Sequence, residues 1–491
     1  MDIPGLLAEL RLCGSVGAPA RLLAIYYDTD ELALWRHGYS LSTRRVGGAW
    51  VQAVNSDGRA CLQHPETVQE IESRAVDRSK LPAHGRFGKQ LAKLLAKRAV
   101  QTIFEVELQR SEWGCVLAHG TRAAVTLDQG EIRSAGGLEP VHVVELRLAE
   151  GALSDFYAWV LTLAQHRALP WETIDPVTRG YELAAATPVM HHKAIAIVLA
   201  DDSSGEDAFT AIVHACLLQL RLNLAATRAG QSEGVHQMRV ALRRLRSCLK
   251  VFRPLIPREA SVNLLEDLRW LNGVLGPARD WDVFMEEGMA PVFARFADRR
   301  GLQSLQRHAD ALRQARRQAL YQGLAEPRYH RLILRLQGWL ACRDWRQSLS
   351  AAQQEALTRP VVEFATQLLT RDHRRVVKRG ADFIRFGREE RHTLRIRIKQ
   401  LRYALEFFAS LYPGPTVDAY VKAAASLQDS LGALNDAAVA ERLLDEAGLG
   451  RATPTRHLIE GWYACNVHLH ERQFMDLWRG FMTCKPAWQA D

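Results

Sequence analysis

The sequence predicts a multidomain α+β protein: an antiparallel β domain with flanking helices, then an all-α domain. Three observations carry this. Up to about residue 185, short runs rich in Val, Ile, Tyr and Trp alternate with Gly and Asp turns. From about 205 onward the apolar spacing is helical, and Pro and Gly sit at junctions such as "RPLIPREA", "LYPGPTVDAY" and "EAGLGRATPT". Charge divides the same way. Residues 201–491 hold 43 Lys and Arg against 33 Asp and Glu, whereas the first 200 residues are nearly neutral, at −1.

In the first part, "RLLAIYYDT" and "ELALWRHG" read as strands broken by Asp and Thr. "YSLSTRRVGGAWVQAVN" reads as a hairpin turning at Gly47-Gly48. "AAVTLDQGEIRSAGG" and "VHVVELRLAEG" continue the strands. "GKQLAKLLAKRA" and "LSDFYAWVLTLAQHRAL" have helical spacing. The polar stretch "LADDSSGEDA" (199–208) reads as a linker, giving domains at 1–198 and 205–491.

At 491 residues each domain can bury a core, and 47% hydrophobic with 24% charged residues is ordinary for a globular chain. The net charge of +9 lies wholly in the second domain and calls for a polyanionic partner. The eight cysteines form no CxxC pair, which argues against a zinc knuckle and fits a reducing cytoplasm. "MDIPGLLAELRLCG" has no signal-peptide pattern, and no run of about 18 apolar residues suggests a membrane span.

The second domain contains a repeat. "HQMRVALRRLRSCLKVFRPLIP" from 236 matches "HTLRIRIKQLRYALEFFASLYP" from 392 at an offset of 156, without a gap. The same offset carries Leu275-Gly276 onto Leu431-Gly432 and Asp280 onto Asp436. The domain is two copies of one helical unit, about 205–350 and 360–491, expected to be related by a pseudo-twofold axis. At 100° per residue, Arg239, Arg243, Arg246 and Lys250 form one basic stripe, with His236 at its edge. Arg395, Lys399 and Arg402 repeat it, and Glu406 replaces the cation at the Lys250 position. A solvated face is the alternative for any one basic helix. Stripes that barely mix signs, recurring in register in both copies, favour two walls of an anion groove. Asp280 and Asp436 read as carboxylates that orient arginines, each after a Gly-containing turn suited to a helix cap. His236 and His392 read equally as helix-start donors and as ligand contacts.

These residues resemble the CHAD family (conserved histidine α-helical domain) over about 205–491. The resemblance implies two four-helix bundles with a basic central surface that binds inorganic polyphosphate. Carried over, the ligand-facing set is His236, Arg239, Arg243, Arg246, Lys250, His392, Arg395, Lys399 and Arg402. Arg374, Arg375, Lys378, Arg379, Arg316 and Arg317 could extend it, although each alone reads as ordinary surface. Binding needs no cofactor, and phosphate or sulfate ions would suit the groove.

Residues of about 5–185 resemble a CYTH domain, the triphosphate tunnel fold, through "YYDTDELALWRHGYSLSTRRVGGAWVQAVN", "VTLDQGEI" and "RGYEL". That resemblance implies an antiparallel barrel whose acids hold Mg²⁺ or Mn²⁺ and whose cations hold a triphosphate. The departures are numerous. The opening ExExK motif aligns with Leu7-Ala8-Glu9-Leu10-Arg11. A basic pair aligns with Ser42 and Arg44, and family lysines align with Asn55 and Pro176. Glu145 remains, but Val143 and Arg147 stand where acids are usual. The residual set is Glu9, Arg11, Arg36, Arg44, Arg110, Glu145 and Arg179. No catalytic or metal set is complete, so this domain reads as a degenerate triphosphatase.

Three function classes follow. The first is a polyphosphate-binding protein associated with polyphosphate granules. The second is a metal-dependent triphosphatase or polyphosphatase. The third, nucleic-acid binding, has phosphate-binding cations but no interleaved aromatics for stacking and no groove-reading motif.

Overall fold

A computed structural model describes residues 5–6, 8–10, 14–16, 18–56, 67–82, 84–96, 98–165, 167–170, 175–186 and 189–489. The chain divides into two compact units, Met1–Val189 and Met190–Asp491. The first is sheet-based and the second helical, an α+β protein as expected.

In the first unit the strands are β1 (Gly14–Val16), β2 (Ala20–Asp28), β3 (Tyr39–Val46), β4 (Ala49–Ser56), β5 (Thr67–Ile71), β6 (Gln101–Val116), β7 (Arg122–Ser134) and β8 (Gly137–Glu150). They pair antiparallel in the order β5-β4-β3-β2-β6-β7-β8, with β1 added to β6. Gly47 and Gly48 turn β3 into β4 at φ +57° and +95°. Both central residues of a type I′ turn need positive φ, which glycine adopts without steric cost.

The run "ELALWRHG" is not a strand. Ala33–Arg36 form a short helix, α1, because the preceding Asp-Thr caps it. The buried Asp28 carboxylate accepts the N–H groups of Thr29, Leu34 and Trp35 at 2.7, 2.8 and 2.9 Å. Thr29 Oγ accepts that of Ala33 at 2.9 Å. These side-chain bonds give the backbone a local alternative to a ladder.

Each sheet face is covered. Helix α2 (Gly85–Leu95) places Leu91 and Leu95 with Ile25, Tyr27, Leu34, Leu41 and Val54. Helix α3 (Leu153–Leu163) follows β8. Helix α4 (Pro176–Ala184) starts at Asp175, whose carboxylate caps Val177 and Thr178, and seats Tyr181 among Tyr26, Phe104, Val106, Leu108, Ile132 and Val141. Tyr181 meets Phe104 edge-on with ring centroids 5.0 Å apart and stacks on Trp35 at 4.3 Å.

The helical unit contains α5 (Gly205–Leu222), α6 (Leu224–Arg228), α7 (Ser232–Val251), α8 (Val262–Val283), α9 (Ala290–Arg295), α10 (Arg300–Ala325), α11 (Pro327–Ala341), α12 (Ala351–Thr358), α13 (Val361–Gly380), α14 (Arg388–Phe408), α15 (Pro415–Ser430), α16 (Gly432–Glu446) and α17 (Pro454–Thr483). The repeat offset extends well beyond the matched sequence. It carries α5 onto α13, α7 onto α14 and α10 onto α17, each to within a few residues. It carries α8 onto α15 and α16 together. Packing follows the same chain of neighbours in each copy: α5 on α7, α7 on α8, α8 on α10, and α13 on α14, α14 on α15, α15 on α17.

Three readings are corrected here. The stretch 199–208 is not a free linker. Ser204 caps α5 in a reciprocal capping box with Asp207, and the division of the chain falls earlier, after Val189. Leu275-Gly276 do not form a turn, because α8 runs unbroken through Pro277; only the second copy breaks, at Leu431-Gly432. Gly205–Arg228 is long and apolar enough to cross a membrane, at mean hydropathy 1.4. Here it buries Phe209, Ile212, Val213 and Leu217, and Asn223 interrupts it.

Equivalent positions of the two copies meet. Gly205 N–H donates to Arg359 O and Val361 N–H donates to Ser203 O, a reciprocal pair at the 156 offset. Ser204 and Pro360 form the bridge between them. The rings of Phe252 and Phe408, also equivalents, lie 6.0 Å apart. One core cluster draws Trp281, Phe284 and Leu302 from the first copy and Leu443, Leu444 and Ile459 from the second.

The seating of α4 gives a test. A Cβ at Gly180 would collide with the Phe104 ring. Gly180→Ala should destabilise the first unit by about 1–3 kcal/mol, read as a lower denaturation midpoint for the sheet signal with the helical transition unchanged.

Candidate functional site

Helices α7 and α14 pack directly on each other. Their inward residues are apolar: Leu242, Leu245, Leu249, Leu394, Ile398, Leu401 and Leu405 are all buried. Basic residues one helical step away are therefore carried to the rim of the same seam. Arg243, Arg395 and Lys399 are half-buried there, and Arg246 and Lys250 are exposed.

Lys399 reports the arrangement. Burial, then Arg243, Arg395, Arg246 and Lys250, push its amine down to about 8. All four named neighbours are cations, three of them from the opposite helix. Burial also lowers Arg395, with Asp436 acting against Arg243. The Nε atoms of Arg243 and Arg395 are buried and meet no hydrogen-bond acceptor among the described residues. The cluster presents donors and positive charge with few acceptors, which is the chemistry of an anion site.

Toward the start of α7, His236 is half-buried. Burial and the cations Arg279, Arg243 and Arg239 hold its imidazole below the ordinary value, with Glu233 opposing. It therefore offers a neutral hydrogen-bonding ring at pH 7. Arg239 lies 3.7 Å from Asp280, which also accepts from Arg442 at 2.8 Å. Asp280 thus orients arginines, as its position suggests. Gly276 permits this approach, since a Cβ there would stand 3.1 Å from the Arg239 guanidinium.

Not every expected residue joins the cluster. Arg402 pairs with Glu406 and donates to Gln428 at 3.0 Å, so it is turned into its own helix surface. His392 is exposed at the start of α14. Arg316 pairs with Glu446 and Arg317 with Asp282, which places both in structural ion pairs. Arg375 pairs with Asp372, Arg379 lies over Phe386, and Arg374 and Lys378 are exposed.

Other residues were not singled out by sequence. Arg253 and Arg397 act on Lys250 and extend the exposed edge. The repeat could not flag them, because their counterparts are Ala409 and Ala241. Arg279 approaches His236 and donates to Glu287 at 2.9 Å. Arg244 goes the other way. It is 4% exposed, donates to Gln219 at 3.1 Å and lies 5.9 Å from the Phe407 ring. Its counterpart, Gln400, is not a cation, which was the available sign that Arg244 is no part of the wall.

In the sheet unit, strand register puts Arg44, Arg110 and Glu145 on one face, together with Ser42, Asn55, Val143 and Arg147. That face is also the seat of the apolar cluster around Tyr181 and Phe104. The remaining charges are engaged locally. Arg110 makes two 2.8 Å bonds to Asp128, Arg179 donates to Glu139 and to Pro140 O, and Glu9 accepts from Arg167 at 2.6 Å. Arg36 is exposed and Arg44 donates to Ser42 at 3.3 Å. Leu7 and Arg11 lie outside the described residues. No group of three or more His, Cys, Asp or Glu gathers among the described residues. Divalent cations take six or more oxygens, so the described residues do not fit the Mg²⁺ or Mn²⁺ site that a tunnel enzyme needs.

The comparisons agree with the helical part. A family model described as the CHAD domain matches residues 211–445. The crystal structure of the CHAD domain from the plant Ricinus communis is 32% identical, with a TM-score of 0.52. The match covers 60% of this chain and 98% of that one. Two proteins of Mycobacterium tuberculosis, both described as uncharacterised, are each 29% identical over 239 residues. The match spans 45% of this chain and 44% of theirs, less than half the length of these curated relatives.

The Lys399 cluster makes stability depend on pH in a definite sense. The folded amine titrates at about 8 and the unfolded one at its ordinary 10.5. Between those values the unfolded chain binds the extra proton, so stability rises with pH across the window. Relative to Lys399→Met, the wild type should gain ~1–3 kcal/mol from pH 7.5 to 10, measured as a difference in urea midpoints. Parallel curves for the two proteins would contradict the convergence of the cations.

Proposed function

We propose, from the premise that this chain belongs to the CHAD domain family, that its helical unit binds inorganic polyphosphate along the α7–α14 seam. The observation that carries this reading is the convergence of Arg243, Arg246, Lys250, Arg395 and Lys399 from two packed helices. A phosphate chain supplies one negative charge or more per unit at close spacing, and so can neutralise several of these cations together. Arg239 and His236 continue the surface toward the start of α7.

The two helical copies are read as four-helix bundles related by a pseudo-twofold axis near the seam. The meeting of Ser204 with Pro360 and of Phe252 with Phe408 supports this. The sheet unit is read as a CYTH-type scaffold whose tunnel face has become a packing face for α4. Its role in this reading is structural, and binding requires no metal. Polyphosphate granules in the cytoplasm are the place where such a protein would act.

Two experiments test this. Long-chain polyphosphate is titrated onto wild type and Arg239→Ala/Arg395→Ala. Binding should weaken with salt, as counterion release requires, and the double variant should lose at least about tenfold in affinity. Unchanged affinity would mean that another surface binds. Duplex DNA in competition should displace polyphosphate poorly, and equal affinity per charge would favour the nucleic-acid reading. Separately, tripolyphosphate with Mg²⁺ or Mn²⁺ should release no phosphate above a protein-free control. Turnover that Arg110→Ala abolishes would restore the enzyme reading for the sheet unit.

A further inference from the structure

The same cluster places a primary amine inside a phosphate-binding field. Lys399 is half-buried on α14 one turn after Arg395, and Arg243, Arg246 and Lys250 face it from α7. Arg243 and Arg395 each hold a buried Nε without an acceptor among the described residues. A phosphate drawn to the positive charge of Arg243, Arg246, Lys250 and Arg395 would lie close to the Lys399 nitrogen. Few lysines combine the two properties, since an exposed lysine is protonated and has no anion held next to it.

We propose that Lys399 is a site of covalent acylation by acyl phosphates, with the arginines of α7 and α14 holding the donor's phosphate. This rests on the reading that the cluster binds phosphoryl groups. The free Lys399 amine attacks the acyl carbon, the C–N bond forms and the C–OPO₃ bond breaks. The electron pair leaves with the phosphate, which departs as HPO₄²⁻ after taking the amine's proton. No oxidant, reductant or further reactant is needed. The charge that grows on the leaving group grows among the cations Arg243, Arg246 and Arg395, so the field that holds the donor also favours its departure. With the amine titrating at about 8, roughly a tenth of it is the free base at pH 7, against under a thousandth for an ordinary lysine. Acylation removes the central charge of the wall and replaces a small ammonium with a neutral amide. The modified protein should therefore hold polyphosphate more weakly, which would make the metabolic supply of acyl phosphates a control on binding.

The test uses the full chain and acetyl phosphate, with site occupancy read by mass spectrometry over time. Lys399 should be acetylated at least about tenfold faster than the exposed Lys193 and Lys422. Inorganic tripolyphosphate should protect Lys399 and leave the other two unchanged. Acetic anhydride, which carries no phosphate, should show a smaller preference for Lys399 and no protection beyond simple blocking. Arg243→Gln should reduce the acetyl phosphate preference while the circular-dichroism melt stays cooperative. If Lys399 reacts no faster than Lys193 while polyphosphate still binds, the inference fails and the binding reading stands. If tripolyphosphate neither binds nor protects, both fail. Because protection is read on the wild type, the result does not depend on any variant folding.

Discussion

A residue close to the relation between two copies of a fold meets its own counterpart. Arg243 and Lys399 are counterparts at the 156 offset, and Arg243 is the first charged group acting on Lys399. Where both copies carry a cation at such a place, like charge faces like charge, as Arg243 and Lys399 do. The seam tolerates this because both helices are anchored by apolar faces, with Leu245, Leu249, Leu401 and Leu405 buried. Burying each such side chain contributes about 1.5–3 kcal/mol, which exceeds the repulsion of half-solvated cations. Packing thus holds a charge distribution that electrostatics alone would disperse. The rest of the unit, including the reciprocal bonds at Ser203–Gly205 and Arg359–Val361, keeps the two copies in that register.

Much of this was legible in the sequence, because an ungapped repeat constrains several levels at once. The pair of basic stripes on helices that contain 236–251 and 392–408, and the Gly47-Gly48 turn, all follow from spacing and backbone chemistry. What escaped was decided by single side chains acting at short range. Asp28 and Thr29 convert a β-prone run into α1 by capping it. Glu406 takes Arg402 out of the wall. Arg244 differs from Arg243 by 100° of rotation and is buried rather than displayed. Periodicity assigns faces, but the partner across the face decides whether a charge is offered or satisfied.

The sheet unit shows the converse. Arg44, Arg110 and Glu145, named by the tunnel-fold resemblance, share one sheet face by strand register, yet co-facial residues do not make a site. Phe104, Tyr26 and Tyr181 occupy the same face, and Asp128 and Glu139 neutralise the arginines. A face can keep the position of its charged residues after an apolar helix has taken over the space they would need.

The seam's two ends are not equal. Where α7 carries Lys250, joined by Arg253 and Arg397, α14 carries Glu406 locked to Arg402. A linear phosphate polymer reads the same from either end, so it brings no direction of its own. The protein imposes one. Under the proposed binding, a chain laid along the seam would be drawn onward past Lys250 and would meet, at the equivalent position of the other copy, the Glu406 carboxylate in place of a cation. Growth or trimming of a bound polymer would then be confined to one side, and a molecule with two identical ends would acquire a free end and a guarded one.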